Sequence, residues 1–538
     1  MLMARRHLRS WIPNMKNNYL LTGILVLLIL IGVAARLYQF GQIPHSLYWD
    51  EVAIGLDARS LLQTGQDLSG KSWLQPLFYS YGDYKAPVYI WLAALFGRIG
   101  GVTEGIVRLP NLLASFGLGA LLFFLSNKVK ERKSALGCFV VVNFLLMPWA
   151  FHFSRIGMES FLSLFWVTLM VYLEIVGLKR NKGWFVALAA LAGVVGIYTY
   201  IAARIMVVGL YLGVLGIFAW GKGKQQWLGM VVGLAVIGLS VGILVNSPDY
   251  AASQNYRLSN DNLIRTTIHV EQSVAAQGQE RSLVSRLVYH RYWFWSQHYL
   301  INYLIHFGPD FLFFTGDINL RHHSGFGGQI LLVQGLLLII GFIIIARSFQ
   351  KMDGLMLLWL FLAPSVAALV NEVPHASRAI YMIVPLSWFV GRGLAGIVER
   401  KKTSVLVVGL IALLLVNFGV YLHDYFVHYP QRSQLAWMMP YKQVAQFFLT
   451  QESAEPVFVT DQWYQPGLYW AFYQEVPAEK LQQTQGNYLK ALGRFTFHLP
   501  QDCPQGSWCV APPDWQTATT RVLSLILNTS DLVVKVVK

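Results

Sequence analysis

The sequence predicts a polytopic α-helical membrane protein of about eleven spans that ends in a small α/β domain, and three observations lead there. First, the 538 residues are 55% hydrophobic and only 13% charged, where a soluble chain carries about a quarter charged residues. The mean hydropathy is +0.46. Second, long apolar runs recur, among them YLLTGILVLLILIGVAARLY and TSVLVVGLIALLLVNFGVYL. Each is long enough to cross roughly 30 Å of hydrocarbon as a helix. Third, the pattern changes after the last such run. QVAQFFLT has helical spacing, EPVFVTD and DLVVKVVK read as strands, and Pro and Gly punctuate the rest.

In chain order, candidate spans lie near 19–37, 107–126, 134–152, 160–178, 184–202, 205–220, 227–246, 328–346, 354–371, 379–397 and 403–422. The first follows the basic flank MLMARRHLRSWIPNMK and is too long for a signal-peptide core, so it reads as an uncleaved anchor with a cytoplasmic N-terminus. Basic clusters follow at Lys128/Lys130/Arg132/Lys133, Lys179/Arg180/Lys182, Lys222/Lys224, Arg347/Lys351 and Arg400/Lys401/Lys402. With these spans every cluster falls on the cytoplasmic side, as the positive-inside rule requires. The formal charge of +15 then belongs to membrane topology, and no nucleic-acid partner is expected.

The stretch APVYIWLAALFGRIGG, residues 86–101, is apolar but interrupted by Arg98. Counting it as a span would move most basic clusters outside, so it reads as an interfacial or re-entrant helix on the outer face, with a short tilted span as the alternative. The expected organisation is a transmembrane domain, 1–422, with outer loops 38–106 and 247–327, and an extracytoplasmic α/β domain, 423–538. The expected location is the plasma (inner) membrane, multi-pass. No short-period repeat or low-complexity region is evident. Cys138 sits in an apolar run as a small filler, whereas Cys503 and Cys509 lie close together outside the cytoplasm. A disulfide between them is expected, with free thiols as the alternative.

Four polar constellations stand out on the outer side. In SLYWDEVAIGLDARSLLQTG, Asp50 and Glu51 form an adjacent acid pair. Asp50 reads either as the cap of a helix with an apolar stripe at Ile54, Ala58, Leu61 and Leu62, or as a catalytic base on a rigid support. In PLFYSYGDYKAPVYIW, Lys85 stands beside Asp83 and Tyr84, placed to anchor a lipid headgroup or to hold the phosphate of a lipid-linked substrate. Arg155, Arg204 and Arg378 lie at outer ends of spans, where the positive-inside rule disfavours them. One shared anionic ligand explains all three, and separate salt bridges to Glu159 or Glu372 are the alternative. In HFGPDFLFFTGDINLRHHSGFGG, Asp317, Arg321, His322 and His323 cluster between glycines. Adjacent histidines lack the spacing of a helix-borne zinc motif and no third ligand is evident, so a substrate-facing polar loop is expected and a metal is not. There is no P-loop, no nucleotide-binding glycine fingerprint and no serine nucleophile elbow. No cofactor is expected, a dependence on a divalent metal is left open, and the energy of any reaction must come from an activated substrate.

Taken in order, these motifs resemble the glycosyltransferase C superfamily, in particular the family 39 protein-mannosyltransferase-like enzymes and the related aminoarabinose transferases. The resemblance is carried by WDEVAIGLDARSLLQTG, GDYKAP, VRLPNLLASFGLGALL, SRIGMES, YTYIAAR, HFGPDFLFFTGDINLRHHSGFGGQ and PHASRAIYMIVPLSWFVGRGL. It implies an inverting transferase that takes a sugar from a polyprenyl-phosphate donor and passes it to an extracytoplasmic acceptor hydroxyl. It further implies that the acid of the first outer loop, Asp50 with Glu51 beside it, serves as base, and that Lys85 contacts the donor phosphate. The lysine motif reads KAP rather than KPP, a departure at Ala86 that keeps the charge. A transporter or flippase of lipid-linked sugars is the rival reading. Transporters commonly show two similar halves and midplane charges on broken helices, and neither is evident in the sequence.

Overall fold

The computed structural model describes residues 19–81, 83–127, 136–219, 221, 223–260, 268–278, 282–401, 405–483, 489–512, 514–515, 522–525 and 534–537. The cluster Lys128/Lys130/Arg132/Lys133, together with Lys222, Lys402 and the N-terminal basic flank, lies outside the described residues. Two compact units emerge. One comprises 1–38, 111–154 and 158–424, and the other 39–110, 155–157 and 425–538.

The first unit is helical. Each candidate span contains helix within the described residues, and among these residues six helices are long and apolar enough to cross a membrane: Glu104–Asn127, Glu159–Arg180, Lys224–Val245, Lys351–Leu369, Ile380–Val398 and Val405–Arg432. Shorter apolar helices include Leu21–Leu37, Leu136–Leu145, Gly183–Ile197, Ala203–Phe218 and Leu332–Arg347. The protein is therefore a multi-pass membrane protein. The expected span 134–152 is broken into Leu136–Leu145 and Pro148–Phe153, because Pro148 has no N–H to continue the first helix and begins the second. Arg36, fully buried, satisfies the broken end by donating from Nη1 to the Leu145 carbonyl at 2.6 Å and from Nε to Ser115 Oγ at 2.9 Å. Helices Leu332–Arg347 and Ile383–Lys401 come together through glycine. A Cβ on Gly393 would stand 2.0 Å from the Leu337 carbonyl oxygen, and one on Gly341 would stand 2.1 Å from that of Phe389. Small residues permit this approach where lipid offers no hydrophobic drive between helices.

The second unit joins the first outer loop to the C-terminal region. Its mixed sheet has the order β4–β5–β3–β6–β8–β7, with β3 Val457–Val459, β4 Ala491–Leu492, β5 Phe495–Thr496, β6 Trp508–Ala511, β7 Val522–Leu525 and β8 Val534–Val537. Strand β3 runs parallel to β5 and β6, and the outer pairs are antiparallel. A small hairpin pairs β1 Phe78–Ser80 with β2 Asp83–Lys85. Cys509 of β6 forms a disulfide with Cys503. The helix Pro87–Gly100 has 14 residues, about 21 Å at 1.5 Å per residue, and stands among the shorter apolar helices.

The first outer loop groups with the C-terminal region because the helix Trp49–Thr64 is an interior element. Residues Glu51–Ala58 are all buried, against helices Pro87–Gly100, Pro466–Tyr473 and Ala478–Gln482. A Cβ on Gly55 would come within 2.6 Å of the Phe472 ring. The apolar stripe expected at Ile54, Ala58, Leu61 and Leu62 is thus part of a helix covered on several sides.

Candidate active site

The motif WDEVAIGLDARSLLQTG resolves into four charged side chains with four different partners. The helix begins at Trp49, after an extended Tyr48, so Asp50 occupies its second position rather than its cap. The residue that reaches back is Glu51: its Oε2 accepts the Tyr48 N–H at 3.3 Å. The two are three positions apart, the spacing of a capping interaction. At the other end Gly65 takes φ +73° and donates to the Leu61 carbonyl, a left-handed termination suited to glycine.

Glu51 is fully buried and fully engaged. Arg108 Nε donates to Oε1 at 2.9 Å and Nη2 to Oε2 at 3.1 Å, while the Gly157 N–H reaches Oε1 at 2.5 Å. Arg108, also fully buried, sends Nη1 to the Pro44 and Gly41 carbonyls and Nη2 to Ser46. All five guanidinium N–H donors are thereby used, and Trp437 lies over the guanidinium with its ring centroid 5.5 Å away. This pair is a structural staple. Arg108 was within a quoted motif but carried no expected role; a charge inside an apolar run was the available signal.

Asp50 differs in every respect. Its side chain keeps 34% of its surface exposed and forms an ion pair with Lys85, whose side chain keeps only 6%. Lys85 is the last residue of β2, in register with Phe78. Ala86 follows with φ −74° and ψ 145°, and Pro87 opens the next helix. The residue before a proline is confined to this extended region, and φ −74° also suits a proline at position 86. The KAP sequence therefore presents the lysine as KPP would. Beside it Tyr84 packs edge-on to Tyr79 at 5.5 Å, and Asp83 Oδ1 accepts the Tyr84 N–H at 2.7 Å.

Arg59 lies over the Phe472 ring at 5.0 Å and donates to the Ala471 and Phe472 carbonyls, closing the C-terminal end of helix Pro466–Tyr473. Asp57 is fully buried; Oδ1 accepts the Leu68 N–H at 3.1 Å, and Oδ2 has no hydrogen-bond partner among the described residues. Burial, helped by Asp67, pushes its pKa up to about 8 against the pull of the Leu68 amide and Lys85. The folded protein therefore holds a proton that the unfolded chain releases near pH 4. Stability falls as pH rises from about 4 through about 8. Asp57→Asn removes this dependence: its melting temperature stays level between pH 5 and pH 8 while that of the wild type falls, a comparison read by thermal unfolding at both values. An equal fall in the variant would refute the assignment.

The same unit contains a cavity of about 270 Å³ lined by Tyr81, Tyr464, Phe497, Asp461, Gln465 and Lys490, among others. Seven described non-glycine residues have positive φ, and three of them, Tyr81 (48°), Tyr464 (75°) and Gln465 (53°), line this cavity. Such strain concentrates at binding sites. Tyr464 packs edge-on against Trp49 at 5.5 Å, beside Asp50 in sequence.

Arg155 belongs to the same unit. It is fully buried, donates to the Gln39 carbonyl at 3.0 Å and faces the Phe426 and Tyr425 rings at 5.2 and 5.7 Å. The other expected residues fall in the helical unit. Arg204 opens the helix Ala203–Phe218 and lies 5.5 Å over Tyr250. Arg378 donates its backbone N–H to His375 Nδ1 at 3.4 Å. Asp317 accepts from Asn319 N–H at 2.8 Å, from Ala376 N–H at 2.7 Å, and pairs with His322 Nδ1 at 3.1 Å. Burial raises its pKa, but His322 and the two amides outweigh it and hold the carboxyl below its usual value. Arg321 Nε donates to Asn319 Oδ1 at 3.1 Å, and His323 Nδ1 accepts the Gly325 N–H at 3.0 Å. His375, which sequence reasoning left without a role, is buried against His322 with ring centroids 4.6 Å apart. Burial first, then His322 and Arg378, holds its pKa well below the usual imidazole value.

Comparison with known proteins bears on the fold. Residues 84–241 match the family described as dolichyl-phosphate-mannose-protein mannosyltransferase. The fold is similar to that of ArnT from Cupriavidus metallidurans in the apo state, with a TM-score of 0.55 at 11% identity over 96% of this chain and 98% of that one. The same protein bound to undecaprenyl phosphate gives a TM-score of 0.54 at 12% identity over the same shares. AglB, the archaeal oligosaccharyltransferase of Archaeoglobus fulgidus, in complex with an inhibitory peptide and a dolichol-phosphate, gives 0.50 at 12% identity over 92% of this chain and 70% of that one. No curated protein matches the sequence significantly.

Proposed function

We propose that the chain is an enzyme of the glycosyltransferase C superfamily and that it transfers one sugar, with inversion, from a polyprenyl phosphate to an extracytoplasmic acceptor hydroxyl. The observation that carries this reading is the contrast within the acid pair. Asp50 is accessible and faces a lysine, whereas Glu51 is locked in the interior. The solved relatives that hold undecaprenyl phosphate or dolichol-phosphate support a donor of the same class here.

In the proposed reaction Asp50 removes the proton of the acceptor hydroxyl, and the acceptor oxygen attacks the anomeric carbon. The bond from that carbon to the phosphate oxygen breaks, and its electron pair leaves with the phosphate. Lys85 stabilises the charge that grows there, most strongly in a site that excludes water. An ammonium has three donors, so Lys85 can hold Asp50 and a phosphate oxygen together, tying base to leaving group. The chemistry needs no cofactor. The strained aromatic cavity at Tyr81, Tyr464 and Phe497 is the proposed acceptor site. The protein is proposed to lie in the plasma (inner) membrane with its N-terminus cytoplasmic and the C-terminal domain outside. Arg204 and Arg378 are proposed as anion-binding residues of the helical unit; Arg155, enclosed by Gln39 and two rings, is proposed to brace the first outer loop instead.

Lys85→Ala tests the donor half. A charge-assisted hydrogen bond contributes about 1.5–3 kcal/mol, so affinity for polyprenyl phosphate falls about 10–100-fold, measured by direct binding to the purified protein. Unaltered affinity would remove Lys85 from the phosphate site.

A further inference from the structure

We propose that Asp317, His322 and His375 form a zinc site in the helical unit. All three are buried, at 2%, 9% and 8% exposure, and the ligand atoms they offer lie within 4.8 Å of one another. Asp317 and His322 come from the glycine-flanked loop, and His375 comes from the distant PHASR segment. That third ligand is what the adjacent histidines of the sequence lacked.

The donor set and geometry suit a divalent transition metal. Two imidazoles and one carboxylate, with a position left for water, make a common zinc arrangement with bonds of about 2.0–2.2 Å. A tetrahedral ion spreads such ligands about 3.4 Å apart. Asp317 Oδ2 and His322 Nδ1 already stand 3.1 Å apart, and the His322 and His375 rings are tilted by 30° at 4.6 Å. The other ligand atoms lie no more than 4.8 Å apart, so binding an ion draws them together by at most about 1.4 Å. Without thiolate, the set favours zinc, cobalt or manganese over softer ions.

The surroundings hold the ligands in place. Asp317 is oriented by two backbone amides, Asn319 on Oδ1 and Ala376 on Oδ2. The second belongs to the residue after His375. The His375 N–H in turn donates to His306 Nε2 at 3.1 Å, and His306 Nδ1 stands 2.8 Å from the Asn302 carbonyl. His306 therefore carries its proton on Nδ1 and acts as an outer partner that fixes the backbone presenting His375. A bound ion ties this loop to the PHASR segment and so positions Arg321 and Arg378. The proposal does not depend on the sugar-transfer reading.

The test uses tag-free, full-length protein, stripped with a chelator and titrated with Zn²⁺ alone, then with Co²⁺ as a spectroscopic probe. The expected result is saturable binding of one ion per chain, with the intense visible bands of four- or five-coordinate cobalt. Asp317→Asn and His375→Gln each lower the affinity by at least about 10–100-fold. His298→Gln, taken from the separate close pair His269–His298 at 3.0 Å, leaves it unchanged. Absence of saturable uptake, uptake indifferent to His375→Gln, or loss caused by His298→Gln would overturn the site. Should a ligand variant not fold, the wild-type cobalt spectrum decides alone, because weak bands of hydrated, octahedral cobalt refute it.

Discussion

Asp50→Asn lowers sugar transfer by about 10²–10⁴-fold, the contribution of a positioned general base, and leaves donor binding intact. The asparagine keeps an oxygen for Lys85 but cannot take the proton of the acceptor hydroxyl. Its position is one-third exposed, so the loss is of chemistry rather than of fold, and the melting temperature stays near that of the wild type. The measurement incubates the purified variant with a panel of polyprenyl-phosphate sugars and follows released phosphate lipid and modified acceptor. Transfer at the wild-type rate would eliminate Asp50 as base. A transporter, by contrast, would move lipid-linked sugar without releasing the lipid phosphate at all.

Glu51→Gln has the opposite signature. Arg108 and Glu51 are both fully buried, and removing one charge leaves the other unpaired in the interior, at a cost of about 3–5 kcal/mol. The expected outcome is a marked fall in melting temperature, read by tryptophan fluorescence or by size-exclusion chromatography after heating. Arg108→Gln on its own behaves likewise. Combining the two substitutions recovers part of the loss, because the double variant buries no unpaired charge. If Glu51→Gln retained full stability but abolished transfer, the base would be Glu51 and the role given to Asp50 would pass to its neighbour.

Much of the architecture is legible in the sequence because lipid imposes a simple rule. Every backbone group inside the bilayer must be satisfied by a helix, so apolar length locates the long apolar helices, but not Pro248–Asn260, Ile268–Gln277, Leu283–Val288 and Arg291–Ile305 within the expected outer loop 247–327. Pro148 shows where the rule needs refinement, since it splits one expected span in two. The helix Trp49–Thr64 was legible as a helix but not as an interior one. Its surroundings come from Phe472 and the helices after Pro466, whose proximity no local pattern announces. The same holds for the cluster around Asp317, where His375 arrives from a separate segment, and for Arg108, whose partner is far along the chain. The three outer arginines were grouped on charge alone; Arg155 lies with the first outer loop and Arg204 and Arg378 with the helices.

By itself the sequence determined a membrane chain, an acid pair in its first outer loop and a lysine ahead of a proline-started helix. It did not determine which of two adjacent acids remains accessible. Successive residues on a helix point about 100° apart, so a neighbouring pair must face different surroundings. Which surroundings each one meets depends on what packs against the helix. Tertiary structure brought Arg108 and the Gly157 amide to Glu51, and it left Asp50 facing Lys85.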